Sequence, residues 1–240
     1  MKKILIYGGS GAVGGALAKK LYAKGYQLHL AGGSEEKLKA LAQETGATYT
    51  SGNIMEDSFL GLVMSEVGDQ LGGLVYAIGT INLKSIRRLT KEDFLQDFNL
   101  NALGAAMAIQ AALPALKKSG PGASIVLISS IAAQKGYPMH ASISMAKGAV
   151  EGLTVALGAE LAPNIRVNAI APSLLDNSNL SATVIGNEDS KEKMAAQHPL
   201  GRLGQPEDIA SMAAFLLSEE AAWVSGQIIG VDGGRSTLNR

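Results

Sequence analysis

Near the start of the chain, Gly9-Ser10-Gly11-Ala12-Val13-Gly14 has the spacing G-x-G-x-x-G. After a strand and at the start of a helix, such glycines let backbone approach a pyrophosphate, whose charge the helix N-terminus stabilises. The spacing therefore predicts a dinucleotide site, against the plainer reading of a glycine turn that only lets strand and helix pack closely. Twenty residues beyond Gly14 stands Ser34, after Gly32-Gly33. An acid there would bind an adenosine ribose, and an Arg would grip a 2′-phosphate. Neither is present and nothing repels a phosphate, so the expected cofactor is NADP or NAD, with a lean to NADP. Further on, His140, Ile143 and Lys147 are spaced i, i+3 and i+7, and would share one stripe of a helix. Ser130 with Lys147 would suit a Ser-Lys hydrolase pair, a reading that the dinucleotide context disfavours.

Placing these residues takes strands that deliver their ends to one cleft. Ile4-Leu5-Ile6-Tyr7 is an apolar run closed by glycine, as in a strand buried on both faces, and Ala12 to Lys24 recurs with helical period. The alternation repeats. Strands are expected at Gln27 to Ala31, Ala47 to Thr50, Gly73 to Ile78, Ala123 to Ile128, Arg166 to Ile170 and Gln227 to Val231. Helices are expected at Glu35 to Glu44, Glu56 to Val67, Lys91 to Leu116 with an interruption near Pro114, Ser142 to Leu161 and Pro206 to Leu217. Strands separated by helices of this length imply right-handed crossovers and a parallel sheet covered on both sides, a doubly wound α/β Rossmann fold of about seven strands in one domain spanning 1–240. Ser173 to Pro199 is polar and too long for an ordinary connection, so it is read as a substrate-side lid or a stretch of short helices.

Composition narrows the function. Hydrophobic residues are 47% and charged residues 18% of 240, enough apolar surface for a sizeable core. Lys plus Arg equals Asp plus Glu, 21 against 21, so no field of one sign recruits nucleic acid or an acidic membrane. The absence of cysteine excludes disulfides, thiolate metal sites and a Cys nucleophile. Met1-Lys2-Lys3 with Ala16-Leu17-Ala18 imitates a secretory signal, but the glycines between them suit a phosphate-binding turn better than a signal helix; a cytoplasmic protein without membrane attachment is expected. His29 reads as a structural histidine in a buried strand and His198 as part of the loop. Neither has a second ligand at metal spacing, so no metal is expected. Met139, Met145 and Met194 are expected to fill packing gaps or an apolar substrate wall.

Tyr7-Gly8-Gly9-Ser10-Gly11-Ala12-Val13-Gly14, Asn101-Ala102-Leu103-Gly104 running into Gln110-Ala111-Ala112-Leu113-Pro114, Ser124 to Ala132, Arg166 to Pro172, and Pro199 to Gly234 with Gly204-Gln205-Pro206-Glu207-Asp208 and Val231-Asp232-Gly233-Gly234 resemble the short-chain dehydrogenase/reductase family over nearly the whole chain. The resemblance implies that Asn101, Ser130 and Lys147 are catalytic. It also implies that the cofactor lies against Gly8, Ser10, Gly11, Val13, Gly14, Gly33, Ser34, Asn53, Ile54, Ala77, Ile78, Gly79, Lys147, Pro172, Ser173 and Leu174. Departures are specific: Tyr7 stands for Thr, Ala12 for Gly, Tyr76-Ala77-Ile78-Gly79 for Asn-Asn-Ala-Gly, and Pro172-Ser173 for Pro-Gly. Family enzymes carry Tyr thirteen residues after the serine and four before the lysine, where this chain has Ile143.

In the family mechanism that Tyr exchanges a proton with the substrate oxygen, Lys lowers its pKa and holds the ribose, and Ser orients the carbonyl. A positioned acid contributes ~10²–10⁴-fold, so its loss needs a substitute. Enoyl reductases of the superfamily carry Tyr seven residues before Lys with an apolar residue between, and His140 with Ile143 is similar to that layout with His for Tyr. His140 is the expected donor and Tyr137 the alternative; the plain reading makes His140 a helix cap. The resulting function is an NAD(P)-dependent oxidoreductase acting on a small carbonyl or enone. The other class is a non-catalytic dinucleotide-binding protein, a sensor or partner subunit. The resemblance also implies a homotetramer or dimer, with Ala105, Ala106, Ala108, Gly148, Gly152 and Gly158 allowing close helix pairing.

Overall fold

Seven parallel strands form one sheet in the computed structural model, which describes residues 3–177 and 185–239, the side chain of Asp57 excepted. The strands are β1 (Lys3–Tyr7), β2 (Gln27–Gly32), β3 (Thr48–Ser51), β4 (Gly73–Tyr76), β5 (Ala123–Ile128), β6 (Ile165–Pro172) and β7 (Ile228–Val231). Their order is β3-β2-β1-β4-β5-β6-β7, so the chain reverses its direction of winding between β1 and β4. Helices α1 (Ala12–Ala23), α2 (Glu35–Thr45) and α3 (Asp57–Val67) follow the first three strands. α4 (Lys91–Phe98), α5 (Gly104–Lys118), α6 (Ala141–Glu160), α7 (Glu188–Ala196) and α8 (Pro206–Leu217) complete the fold. Two apolar layers flank the sheet. Leu17, Leu21, Ile209 and Ala213 pack on Ile4, Ile6 and Val126 on one face, and Val63, Ala105, Ala108, Ala112 and Val150 pack on Leu5, Leu74 and Ile125 on the other. The doubly wound α/β architecture is as expected, as is the continuous burial of Ile4 to Tyr7.

The segment 91–118 departs from expectation. It runs straight through Pro114, and its irregularity is a π turn at Asn99–Leu103. The side-chain amide of Asn101 donates to the carbonyl of Asp97 at 2.8 Å, taking the acceptor that its own backbone N–H would use in an α-helix. The ladder widens accordingly: the Gly104 N–H reaches back to the Asn99 carbonyl, and the Leu100 carbonyl accepts instead from the Tyr76 hydroxyl at 2.7 Å. Gly104 is required because a Cβ there would collide with that hydroxyl. By length and composition this helical run is the one among the described residues apolar enough to cross a membrane, yet half of its most apolar stretch is buried in the fold.

The expected loop from Ser173 to Pro199 contains α7, capped by the Asn187 side chain, which accepts from the Ser190 N–H; its middle, 178–184, lies outside the described residues. Met139 and Met145 are exposed rather than filling gaps. β6 and the approach to β7 are joined by Asn168, whose amide donates to the Val224 carbonyl at 2.9 Å and whose oxygen accepts from the Gln227 N–H at 3.0 Å. Those bonds fix where the chain after β7 returns to the sheet edge.

His29 is fully buried in β2, between the hydroxyls of Thr48 at 2.8 Å and Thr50 at 2.9 Å on β3. Burial, aided by the charge of Lys3, lowers its pKa from 6.5 to about 4. The unfolded chain therefore takes up a proton below pH 6.5 that the folded chain refuses until about pH 4. Stability present above pH 6.5 is lost as pH falls across this window. At roughly 1.4 kcal/mol per pKa unit the loss is on the order of 3 kcal/mol. Urea unfolding at pH 7.5 and pH 4 should show a fall in wild type that exceeds the fall in His29→Gln by about that much; equal falls would show that this imidazole is not the group responsible.

Candidate functional site

At the carboxyl edge of the sheet, where the connections after β1 and β4 part to opposite sides of the strand order, the chain encloses a cavity of about 480 Å³. Open α/β sheets place ligands at this switch point. Each wall comes from the residues that follow a strand: Gly11 to Val13 after β1, Ala77 to Ile81 and Leu83 after β4, Ile128 to Ala132 at the end of β5, and Pro172 to Leu175 at the end of β6. Tyr137, His140, Ile143 and Lys147 come from α6 and its approach, Met194 and Gln197 from α7 and its end, and Arg235 from the segment after β7.

The turn after β1 has no room for a side chain at Gly8 or Gly14. Gly8 has φ +82°, and a Cβ on it would lie 2.7 Å from the Ala77 carbonyl group; a Cβ on Gly14 would collide with the Gly8 carbonyl. α1 thus starts against the strand end. Its cap, Gly11, offers no side-chain acceptor and its first turn has no acid. First-turn N–H groups left in this way bind anions, so the residues present fit a dinucleotide's phosphates.

Lys147 is buried on α6, and its ammonium donates to the Ile128 carbonyl at 2.7 Å. Burial lowers its pKa to about 8, against the opposing pull of Asp97. Ser130 begins a short 3₁₀ turn. Its oxygen accepts from the Ala132 N–H at 3.1 Å, which leaves the hydroxyl proton to be donated into the cavity. Ile143 is buried in the same wall. His140 is the N-cap residue of α6, but its side chain makes no capping bond; its Nδ1 lies 2.7 Å from the Pro138 carbonyl. A carbonyl only accepts, so Nδ1 carries a proton and Nε2 is the exchangeable position. Tyr137 stacks at a tilt against His140 with ring centroids 5.5 Å apart, and its buried hydroxyl has no partner among the described residues.

Of the residues expected from sequence, Gly11, Val13, Ala77, Ile78, Gly79, Ser130, His140, Lys147, Pro172, Ser173 and Leu174 line this one cavity. Others stand behind it. Asn101 is buried in the π turn, separated from the cavity by Gly79: a Cβ on Gly79 would meet the Asn101 Oδ1 at 2.8 Å and the Lys147 Nζ at 3.5 Å. Gly8 and Gly14 form the turn itself, and Ser10 sits against Gly32 with its oxygen 2.9 Å from where a Cβ would be. Gly33 is exposed, the Ser34 side chain caps α2, Asn53 closes a turn onto the Met55 N–H, and Ile54 packs partly on the core.

Sequence reasoning missed three groups. His198 lies in the loop as expected, yet is almost wholly buried there: its Nδ1 donates to the Met194 carbonyl at 2.8 Å, and its Nε2 accepts from the Ser173 hydroxyl at 2.8 Å. Arg235 lies over the face of Tyr137, 5.0 Å from the ring centroid, and donates to Ser173 Oγ at 3.3 Å and to Gln197 Oε1 at 2.5 Å. Asp97 is fully buried and accepts from Thr80 at 2.8 Å and Asn82 at 3.0 Å. Only Asp97 had a local signal, a single acid four residues before Asn101.

Comparison with known proteins agrees with this architecture. The model of a family described as enoyl-(acyl carrier protein) reductase matches residues 9–236. The chain is 31% identical to the 3-oxoacyl-(acyl-carrier-protein) reductase FabG of Aquifex aeolicus, over 97% of this chain and 96% of that protein. It superposes with a TM-score of 0.91 and 30% identity on a short-chain type dehydrogenase/reductase from Mycobacterium ulcerans, covering 98% of this chain and 90% of that one. The actinorhodin polyketide ketoreductase with NADPH gives 0.91 at 26% identity, covering 99% and 98%. The chain belongs to the short-chain dehydrogenase/reductase family.

Proposed function

We propose that this protein is an oxidoreductase that uses NAD(P) to pass hydride to or from a small carbonyl or enone, without the tyrosine usual at the position of Ile143. The observation that carries the reading is one cavity joining the open N-terminus of α1 to Ser130, His140 and the buried ammonium of Lys147. NAD(P), when bound, supplies or accepts the hydride. The chain's own groups do the rest. First-turn N–H groups of α1 hold the phosphates; Lys147, anchored by one bond to Ile128, has two further N–H groups for a ribose. Ser130 donates to the substrate oxygen and orients it. His140, its Nδ1–H held by Pro138, passes a proton from Nε2 to the atom that becomes negative. The non-catalytic sensor reading uses the same glycine turn but gives no role to the Ser130 proton or to the apolar substrate side.

His140→Gln keeps a polar side chain and should leave cofactor affinity nearly unchanged while lowering turnover by roughly 10²-fold or more. Ile143→Tyr should raise carbonyl reduction, because Ser130 and Lys147 already flank the position. Equal turnover of wild type and His140→Gln from pH 5 to 9 would remove His140 from the mechanism. Loss of NADPH consumption across a panel of ketones, quinones and enones would reject the enzyme.

No acid replaces the missing ribose ligand at Gly32, Gly33 or Ser34, so calorimetry should find NADP(H) bound at least as tightly as NAD(H); clearly tighter NAD(H) would contradict this.

A homotetramer or dimer completes the proposal. Leu95, Phe98, Leu103 and Met107 are exposed along α4 and α5, with Met145 and Val155 on α6, and Gly148 and Gly152 face open space. Ala105 and Ala108 pack in the core instead, and a Cβ on Gly158 would crowd the Gly226 backbone, so those three do not serve the pairing. Light scattering at micromolar concentration should return two or four times the chain mass, and a monomer mass would overturn the assembly.

A further inference from the structure

The cavity wall carries cations but, among the described residues, no carboxylate. Lys147 and Arg235 line it, and no Asp or Glu does so among the described residues. Lys147 is held at the end of β5 by the Ile128 carbonyl, whereas Arg235 contacts Tyr137, Ser173 and Gln197. Its position is built rather than incidental. One face of the guanidinium is covered by the Tyr137 ring, and its Nη atoms donate to Ser173 and Gln197. Ser173 accepts there because its own proton goes to His198, whose other nitrogen donates to the Met194 carbonyl. Every partner of the guanidinium is neutral. The nearby acid, Asp232, has its two oxygens occupied by the N–H groups of Gly234 and Ser236. A guanidinium has five N–H donors, and those not used by Ser173 and Gln197 have no acceptor among the described residues. The buried Tyr137 hydroxyl is a further donor without a partner.

A half-buried, preorganised guanidinium with no carboxylate partner is complementary to a carboxylate, which accepts bidentate hydrogen bonds and supplies the missing charge. Resting on the oxidoreductase reading above, we propose that the substrate carries a carboxylate as well as its carbonyl or enone, and that Arg235 binds that carboxylate and sets specificity for keto acids over their neutral analogues. The apolar walls of Leu174, Leu175 and Met194 then take the carbon chain between the two groups.

Two measurements test this, one independent of turnover. With NADPH present, titration of the wild-type protein with butyrate and with butyramide should show at least tenfold tighter binding of the carboxylate. That preference should vanish in Arg235→Met and be retained in part in Arg235→Lys. Equal binding of acid and amide, or a preference unchanged in Arg235→Met, would overturn the proposal whether or not the protein is an enzyme. Kinetically, the ratio of kcat/KM for 4-oxopentanoate to that for its methyl ester should fall at least tenfold in Arg235→Met. Selective butyrate binding with no turnover of these ketones or of any ketone, quinone or enone in the panel would leave the carboxylate site standing and refute only the oxidoreductase reading. A circular-dichroism melt of each variant separates lost binding from lost folding, and Tyr137→Phe, which keeps the ring under Arg235, should weaken butyrate binding less than Arg235→Met does; a larger effect would move the anchor from the guanidinium to the hydroxyl.

Discussion

The closeness of β1, its turn and α1 to the end of β4 is the constraint on which the rest of the site depends. Gly8 lies against the Ala77 carbonyl group and Gly14 against Gly8, with no volume for a methyl group at either place. That contact brings the N-terminus of α1 level with the strand ends. If it were opened by the width of a side chain, the first-turn N–H groups would draw back from the cleft and α1 would lose its seat on Leu30 and Leu38. Packing and ligand recognition therefore make the same demand on these glycines.

Across the cleft the governing effect is desolvation. Lys147 is held in a wall of Ile128, Ile131 and Ile143, and although Asp97 pulls its pKa upward, the net movement is downward, so burial outweighs the attraction. The Asp97 carboxylate is partly spent elsewhere, accepting from Thr80 and Asn82. The result is an ammonium near its titration point, short of partners, and therefore available to a ribose hydroxyl rather than locked in an ion pair.

The sheet was legible because its strands are continuous apolar runs and its helices repeat with a period of 3.6, both local signals. The glycine turn was legible for the same reason, whereas Ser130 and Lys147 were named through the family resemblance, and the structure has both lining the one cavity. What escaped was non-local or hidden behind a competing cue. Pro114 looked like the break in 91–118, yet the break came from an asparagine side chain displacing its own backbone donor. The group formed by Tyr137, Ser173, His198 and Arg235 spans almost a hundred residues and carries no spacing of its own; only the pairing of β6 with β7, braced by Asn168, brings it together. Asn101 was expected at the cleft and lies one glycine behind it, a depth that no one-dimensional pattern encodes.

The π turn has a consequence for how this chain tolerates length changes. One extra residue in a turn rotates everything beyond it by about 100° around the helix axis. α4 can thus lean on α6 while α5 leans on α3 and the sheet, two faces that an uninterrupted helix of this sequence would not present together. Removing one residue between 99 and 103 would leave a helix of better local geometry and a worse protein: either α5 turns its alanine face off the sheet, or α4 turns Asp97 away from Thr80 and the neighbourhood of Lys147. In this stretch the length of the chain is as much a part of the site as the identity of its side chains.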